Sequence, residues 1–180
     1  MELLAKLENK ILGWTKNIPN LPLSMRKWLA ENVWWFTALA SVLTGITVIG
    51  HLLRLQEYIA VLNNPFAPLY SSTTFVTLLV VSTIAALVFS IASCIILGLA
   101  VNPLKEKQKK GWVLLFVAWL VAVIWTVVTT VITFNPLSVF TGIIFGAIML
   151  AASGYFLFEI HGQFAHVERS RGVKAEKKSK

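Results

Sequence analysis

This chain has no aspartate and a single cysteine, Cys94. Without aspartate, no mechanism can rest on an aspartate pair or an aspartyl phosphate. With one cysteine there is no intramolecular disulfide and no multi-cysteine zinc site. Charge is scarce too. Only 13% of residues are charged, about half the share usual in soluble domains. The middles of its long apolar runs hold no Glu, Lys, Arg or His. That argues against a proton-coupled transporter with a mid-membrane carboxylate, and against a voltage sensor. No glycine-rich phosphate loop and no paired-carboxylate motif occurs.

Apolar sequence fills the space that charge leaves. Of 180 residues, 57% are hydrophobic, and the mean hydropathy is +0.74. A chain of this length is expected to form one domain. Four apolar runs, at about 33–53, 73–101, 112–134 and 137–160, are each long enough to cross a bilayer. The second is ~43 Å long at 1.5 Å per residue, against a hydrocarbon core of ~30 Å, so it must tilt or project. The expected fold is an all-α membrane protein: a four-transmembrane-helix bundle over 33–160, preceded by an amphipathic helix.

That first helix lies in a segment, 1–32, expected to be cytoplasmic and juxtamembrane. Leu4, Leu7, Ile11 and Trp14 recur at helical steps. Such a stripe fits the lipid interface and a protein surface equally well. Pro19 and Pro22 break the chain, and Ser24 is a candidate N-cap for the next helix. Lys27 and Glu31, four apart, are a candidate pair, as are Arg54 and Glu57. At the other end, 161–180 is a basic tail without apolar periodicity, expected to be disordered.

Basic residues set the threading. Lys and Arg number five before position 28, four in the turn around 102–112 and six after 168. The two hairpin tips hold none, and only Arg54 lies near one of them. Lysine and arginine are retained on the cytoplasmic side, so both termini and the central turn are expected there. Arg26, Lys27, Lys105, Lys107, Lys109 and Lys110 are the residues expected at the anionic headgroups. A membrane surface, and not nucleic acid, is the expected partner of this charge.

Helices in lipid associate through small residues that permit close approach. The second run carries Ser82, Ala86, Ser90, Cys94 and Gly98 at four-residue steps, and the fourth carries Gly142 and Gly146. Shorter stripes occur in the first run (Thr37, Ser41, Gly45) and the third (Ala118, Ala122, Thr126, Thr130). These faces are the expected seams of the bundle or of a homo-oligomer.

Candidate chemistry is sparse, and no catalytic, cofactor-binding or metal residue is assigned. His51 and His161 fall at opposite ends of the bundle and cannot share a haem. His161 and His166 are five apart, so a helix points them about 140° apart. Cys94, mid-span among Ile, Leu and Ser, is expected to be inert. Trp119 and Trp125 sit on different faces of the third run.

Trp28–Trp35 (WLAENVWW) together with Leu104–Phe116 (LKEKQKKGWVLLF) resembles small four-span membrane proteins of unassigned function from bacteria with reduced genomes. The resemblance covers these two stretches and the overall layout. It implies a bacterial inner-membrane location and supplies no catalytic residues. The functional expectation is a non-enzymatic membrane accessory or scaffold. The rivals are an oligomeric channel, holin-like pore or transporter subunit, with Thr126, Thr129, Thr130 and Thr133 as lumen candidates, and then a membrane enzyme or quinone-binding subunit.

Overall fold

The computed structural model describes Lys6 and residues 10–11, 20–66, 72–132 and 136–178, with side chains described at positions 6, 10–11, 20–66, 72–130 and 143–164. Four helices follow in order: α1 Leu23–Leu62, α2 Thr73–Lys105, α3 Lys109–Ile132 and α4 Pro136–Lys178. All four are long and apolar enough to cross a membrane. The described residues contain no strand. The architecture is the all-α four-helix bundle that the apolar runs predict.

The helices run past the expected limits of the spans. α1 has 40 residues, ~60 Å at 1.5 Å per residue and about twice the ~30 Å hydrocarbon core. It begins at Leu23, just after Pro22, so Ser24 lies inside the helix and makes no cap. No proline interrupts the chain from there to Asn63, and the charged ends are rich in good helix formers. The same reason extends α4. The tail expected to lack structure after 160 continues as helix to Lys178, with no proline and several Ala, Glu, Lys and Arg. The proposed N-terminal helix falls mostly outside the described residues. Lys6, Lys10 and Ile11 are helical, and Ile11 packs against the protein's own buried cluster.

Consecutive helices pack side by side, most extensively α1 with α2, and α4 closes back on α1 through the smallest contact of the four adjacent pairs. Their outer faces are large and apolar: Val42, Leu99, Phe145 and Met149 are all more than 60% exposed. Leaving so much apolar area bare is untenable in water and natural against lipid tails. The fully enclosed core is correspondingly small and lies at one end. Ala100, Leu104, Trp112, Phe116, Leu157, Phe158, Ile160 and Phe164, with Ala30 of α1, form a single cluster beside the lysine-rich turn. The bundle is closed at this end and looser beyond it.

Candidate functional site

The closed end is built around the α2–α3 turn. The Lys107 amide donates to Leu104 O at 2.9 Å and the Gln108 amide to Pro103 O at 2.8 Å. These two bonds make a Schellman cap, whose left-handed residue is commonly glycine. Here it is Lys107, at φ 54°. Its Nζ reaches Glu31 Oε1 on α1 at 3.3 Å. A lysine in this strained position therefore ties the turn to α1. Glu31 pairs with Lys107 rather than with Lys27, its expected partner; Lys27 points outward and is exposed. Gly111 lies so close to the preceding turn that a Cβ would meet Leu104 N at 2.6 Å and Pro103 C at 2.8 Å.

A second ion pair crosses from α1 to α4. Arg26 Nε lies 3.5 Å from Glu159 Oε2, and the Glu159 side chain is only 7% exposed. The Leu21 amide donates to the same carboxylate oxygen at 3.2 Å. Arg26 Nε is itself buried and makes no hydrogen bond. Arg26 thus turns at least part of its guanidinium toward Glu159, while its side chain stays 30% exposed. The cause is Glu159, the one acid in the fourth apolar run, brought opposite Arg26 by the bundle. Lys105 also has a protein partner, lying 5.3 Å from the Trp34 ring centroid in cation–π geometry. Lys109 is half-buried and Lys110 exposed.

Aromatic side chains lock α3 to α4. Trp112 Nε1 donates to Leu157 O at 2.8 Å, and Trp119 Nε1 donates to Leu150 O at 3.0 Å. Donors and acceptors are each seven residues apart, so one antiparallel register satisfies both indoles. Phe116 stacks between the two tryptophans. Trp112 is fully buried, although its position at a span end suggests an interfacial belt. His161 meets its ring edge-on at 4.5 Å. The spacing of Trp112, Phe116 and Trp119 was visible in the sequence, but the carbonyls they reach were not.

The small-residue stripes meet larger partners unevenly. Ser41 Oγ donates to Cys94 O at 3.2 Å, and Cys94 Sγ donates to Ser41 O at 3.5 Å. A Cβ on Gly98 would meet Ser41 Oγ at 3.4 Å, and one on Gly45 would meet Cys94 Sγ at 3.7 Å. Ser41 and Gly45 therefore face Cys94 and Gly98. Farther along α2, Ala86 is buried, and Ser82 bonds back to Leu79 O. On α4, Gly146 faces Thr126, where a Cβ would come within 2.9 Å of the threonine methyl. Gly154 fits beneath the Trp119 ring in the same way. Gly142 belongs to α4, but its surroundings lie outside the described residues.

Ser90 of the same stripe lies elsewhere, in a crevice of about 680 Å³ among all four helices. The crevice extends from Leu29 to Thr44 on α1, Phe89 to Leu97 on α2, Leu115 to Trp125 on α3 and Ser153 to Ile160 on α4. The Arg26–Glu159 pair lies one turn beyond Leu29 and next to Ile160, at the end of the crevice nearer the lysine-rich turn. Its lining contains no ionisable residue. Five lining residues are aromatic, and Phe89 and Trp125 have ring centroids 5.0 Å apart. Thr44 and Ser153 also line it, but their hydroxyls bond to carbonyls of their own helices. Among the described residues, Ser90 and Ser93 make no side-chain hydrogen bond. Nothing in the sequence marks this crevice, because its walls come from four separated stretches.

The threonines named as lumen candidates are occupied locally. Thr126 donates to Ala122 O, Thr129 to Trp125 O and Thr130 to Thr126 O. Thr133 is outside the described residues. Comparison with protein-family models, with curated proteins and with solved structures finds no match to this chain.

Proposed function

We propose that this protein is a non-enzymatic accessory or scaffold of the bacterial inner membrane, with both termini and the 102–112 turn in the cytoplasm. The observation that carries the reading is the construction of the lysine-rich end. Trp112, Phe116, Leu104 and Phe164 are 0–1% exposed there, and two ion pairs brace the same end. From this firm base Lys27, Lys105 and Lys110 project on the surface. A preorganised basic face suits anionic headgroups or an acidic segment of a partner protein. The helices beyond that end are held mainly by small-residue seams, in keeping with a membrane platform.

A pore or transporter subunit is the rival reading. A pore needs a polar water path, whereas the described threonines bond to their own carbonyls and the crevice is apolar. Affinity purification of the tagged chain in mild detergent, with mass analysis of the intact complex, tests the choice. A stably retained partner protein or anionic lipid is the expected result. A bare homo-oligomer that makes liposomes leak selectively to solutes would overturn it in favour of the pore.

A further inference from the structure

The crevice contains two hydroxyls that a lipid bilayer would leave unsatisfied. Thr37, Thr44, Thr47, Thr83, Thr126 and Ser153 each donate to a carbonyl of their own helix. Ser90 and Ser93 do not, and both line the crevice. They are 15 and 12 residues from Lys105, or ~22 and ~18 Å along α2 at 1.5 Å per residue. With Lys105 at the headgroups, that depth lies near or beyond the midplane of a ~30 Å core. No water is available there, and an unpaired hydroxyl carries a desolvation cost.

We infer that the crevice binds a neutral, bilayer-soluble molecule bearing a carbonyl on a flat ring, of the quinone type. Residues 90 and 93 are neighbours on one helix face, so both hydroxyls can donate to one ligand. The Phe89–Trp125 pair, with Trp119 nearby, offers ring faces and edges for stacking. The volume of about 680 Å³ lies within the range usual for small-molecule sites. A charged ligand is disfavoured because no lining residue can pair with it at this depth. A simple acyl chain would leave both serines unpaired. The Arg26–Glu159 pair braces the end of the crevice nearer the lysine-rich turn, and the ligand enters from the hydrocarbon region on the side where α1 and α4 share the smallest contact of the four adjacent pairs. Binding alone is inferred, with no electron-transfer step, and it is independent of the accessory role proposed above.

The test is equilibrium binding of radiolabelled decylubiquinone to the full-length protein in nanodiscs, with empty nanodiscs as the partition blank. Saturable binding of one probe per chain is expected, displaced by unlabelled decylubiquinone and not by hexadecane. The double variant Ser90→Ala/Ser93→Ala should bind at least about tenfold more weakly, as loss of two hydrogen bonds implies. Thr47→Ala, which removes a hydroxyl already bonded to its own helix and lying outside the crevice lining, should bind as the parent does. Ala118→Phe, which fills the crevice, should abolish binding. Uptake no greater than in empty discs would overturn the inference. So would equal affinity in parent and double variant, or equal competition by hexadecane, which would mark the crevice as a plain niche for lipid tails.

Discussion

Gly111 shows how much one residue can hold in this bundle. It sits where α3 leaves the turn, and the backbone of Pro103 and Leu104 fills the space a side chain would need. Backbone cannot move aside as a flexible side chain does. Gly111→Ala is therefore expected to destabilise the protein by about 1–3 kcal/mol, the usual cost of overpacking. Gly162 is the control, since nothing lies within 4 Å of its Cβ position. Gly162→Ala should be neutral or stabilise by up to about 1 kcal/mol, as alanine favours a helix interior. Thermal melting of both variants in one detergent checks the pair, and equal melting points would contradict the close approach. The sequence places Gly111 in the turn but cannot reveal its crowding, which arises only when the Schellman cap folds the chain back. Lys107 is similar: its charge is legible, whereas its left-handed backbone and reach to Glu31 are not.

Between elements, different forces hold different pairs. α1 and α2 meet through Ser41 and Cys94, with Gly45 and Gly98 allowing close approach. α3 and α4 are keyed by the two indole bonds. α1 and α4 share the smallest contact of the four adjacent pairs, so the Arg26–Glu159 clasp matters most for them. Glu159→Gln should cost about 1–3 kcal/mol, less than the loss of a fully buried pair because the Arg26 side chain is 30% exposed. Glu31→Gln, in a pair exposed on both sides, should cost below about 1 kcal/mol. Melting curves for these two variants test the ranking, and a larger effect at Glu31 would reverse it. The four helices were legible from apolar run length. Their limits were not, because charged helix formers continue a helix as readily as they end a span. The small-residue stripes pointed to faces that could approach closely. They could not say that Ser90 would face a crevice while Cys94 faced a neighbouring helix.

At the scale of the whole molecule, the enclosed core and most of the charged groups gather at one end, with Arg54 and Glu57 at the far end of α1. Positive-inside retention then predicts the orientation of the entire bundle. A cysteine introduced at Gln108 should label with a membrane-impermeant reagent only after spheroplasts are lysed. One introduced at Ala67 or Ser138 should label on intact spheroplasts. External labelling at Gln108 would invert the orientation and remove the lysine-rich face from the cytoplasm. Cys94 lies half-buried within α2 against Ser41, so it should add little background.

The sequence by itself determined the fold class and the grouping of charge. Both follow from local properties, since a bilayer demands long runs of apolar residues and each basic side chain carries its charge wherever the chain goes. Tertiary structure alone decided which charges face each other and where the bundle stays open. Arg26 and Glu159 are 133 positions apart in the chain, and only the antiparallel return of α4 sets them together. The crevice likewise depends on how four helices diverge beyond the closed end. Apolar walls read the same in sequence whether they pack against lipid, a neighbouring helix or a cavity, so that choice belongs to the packing.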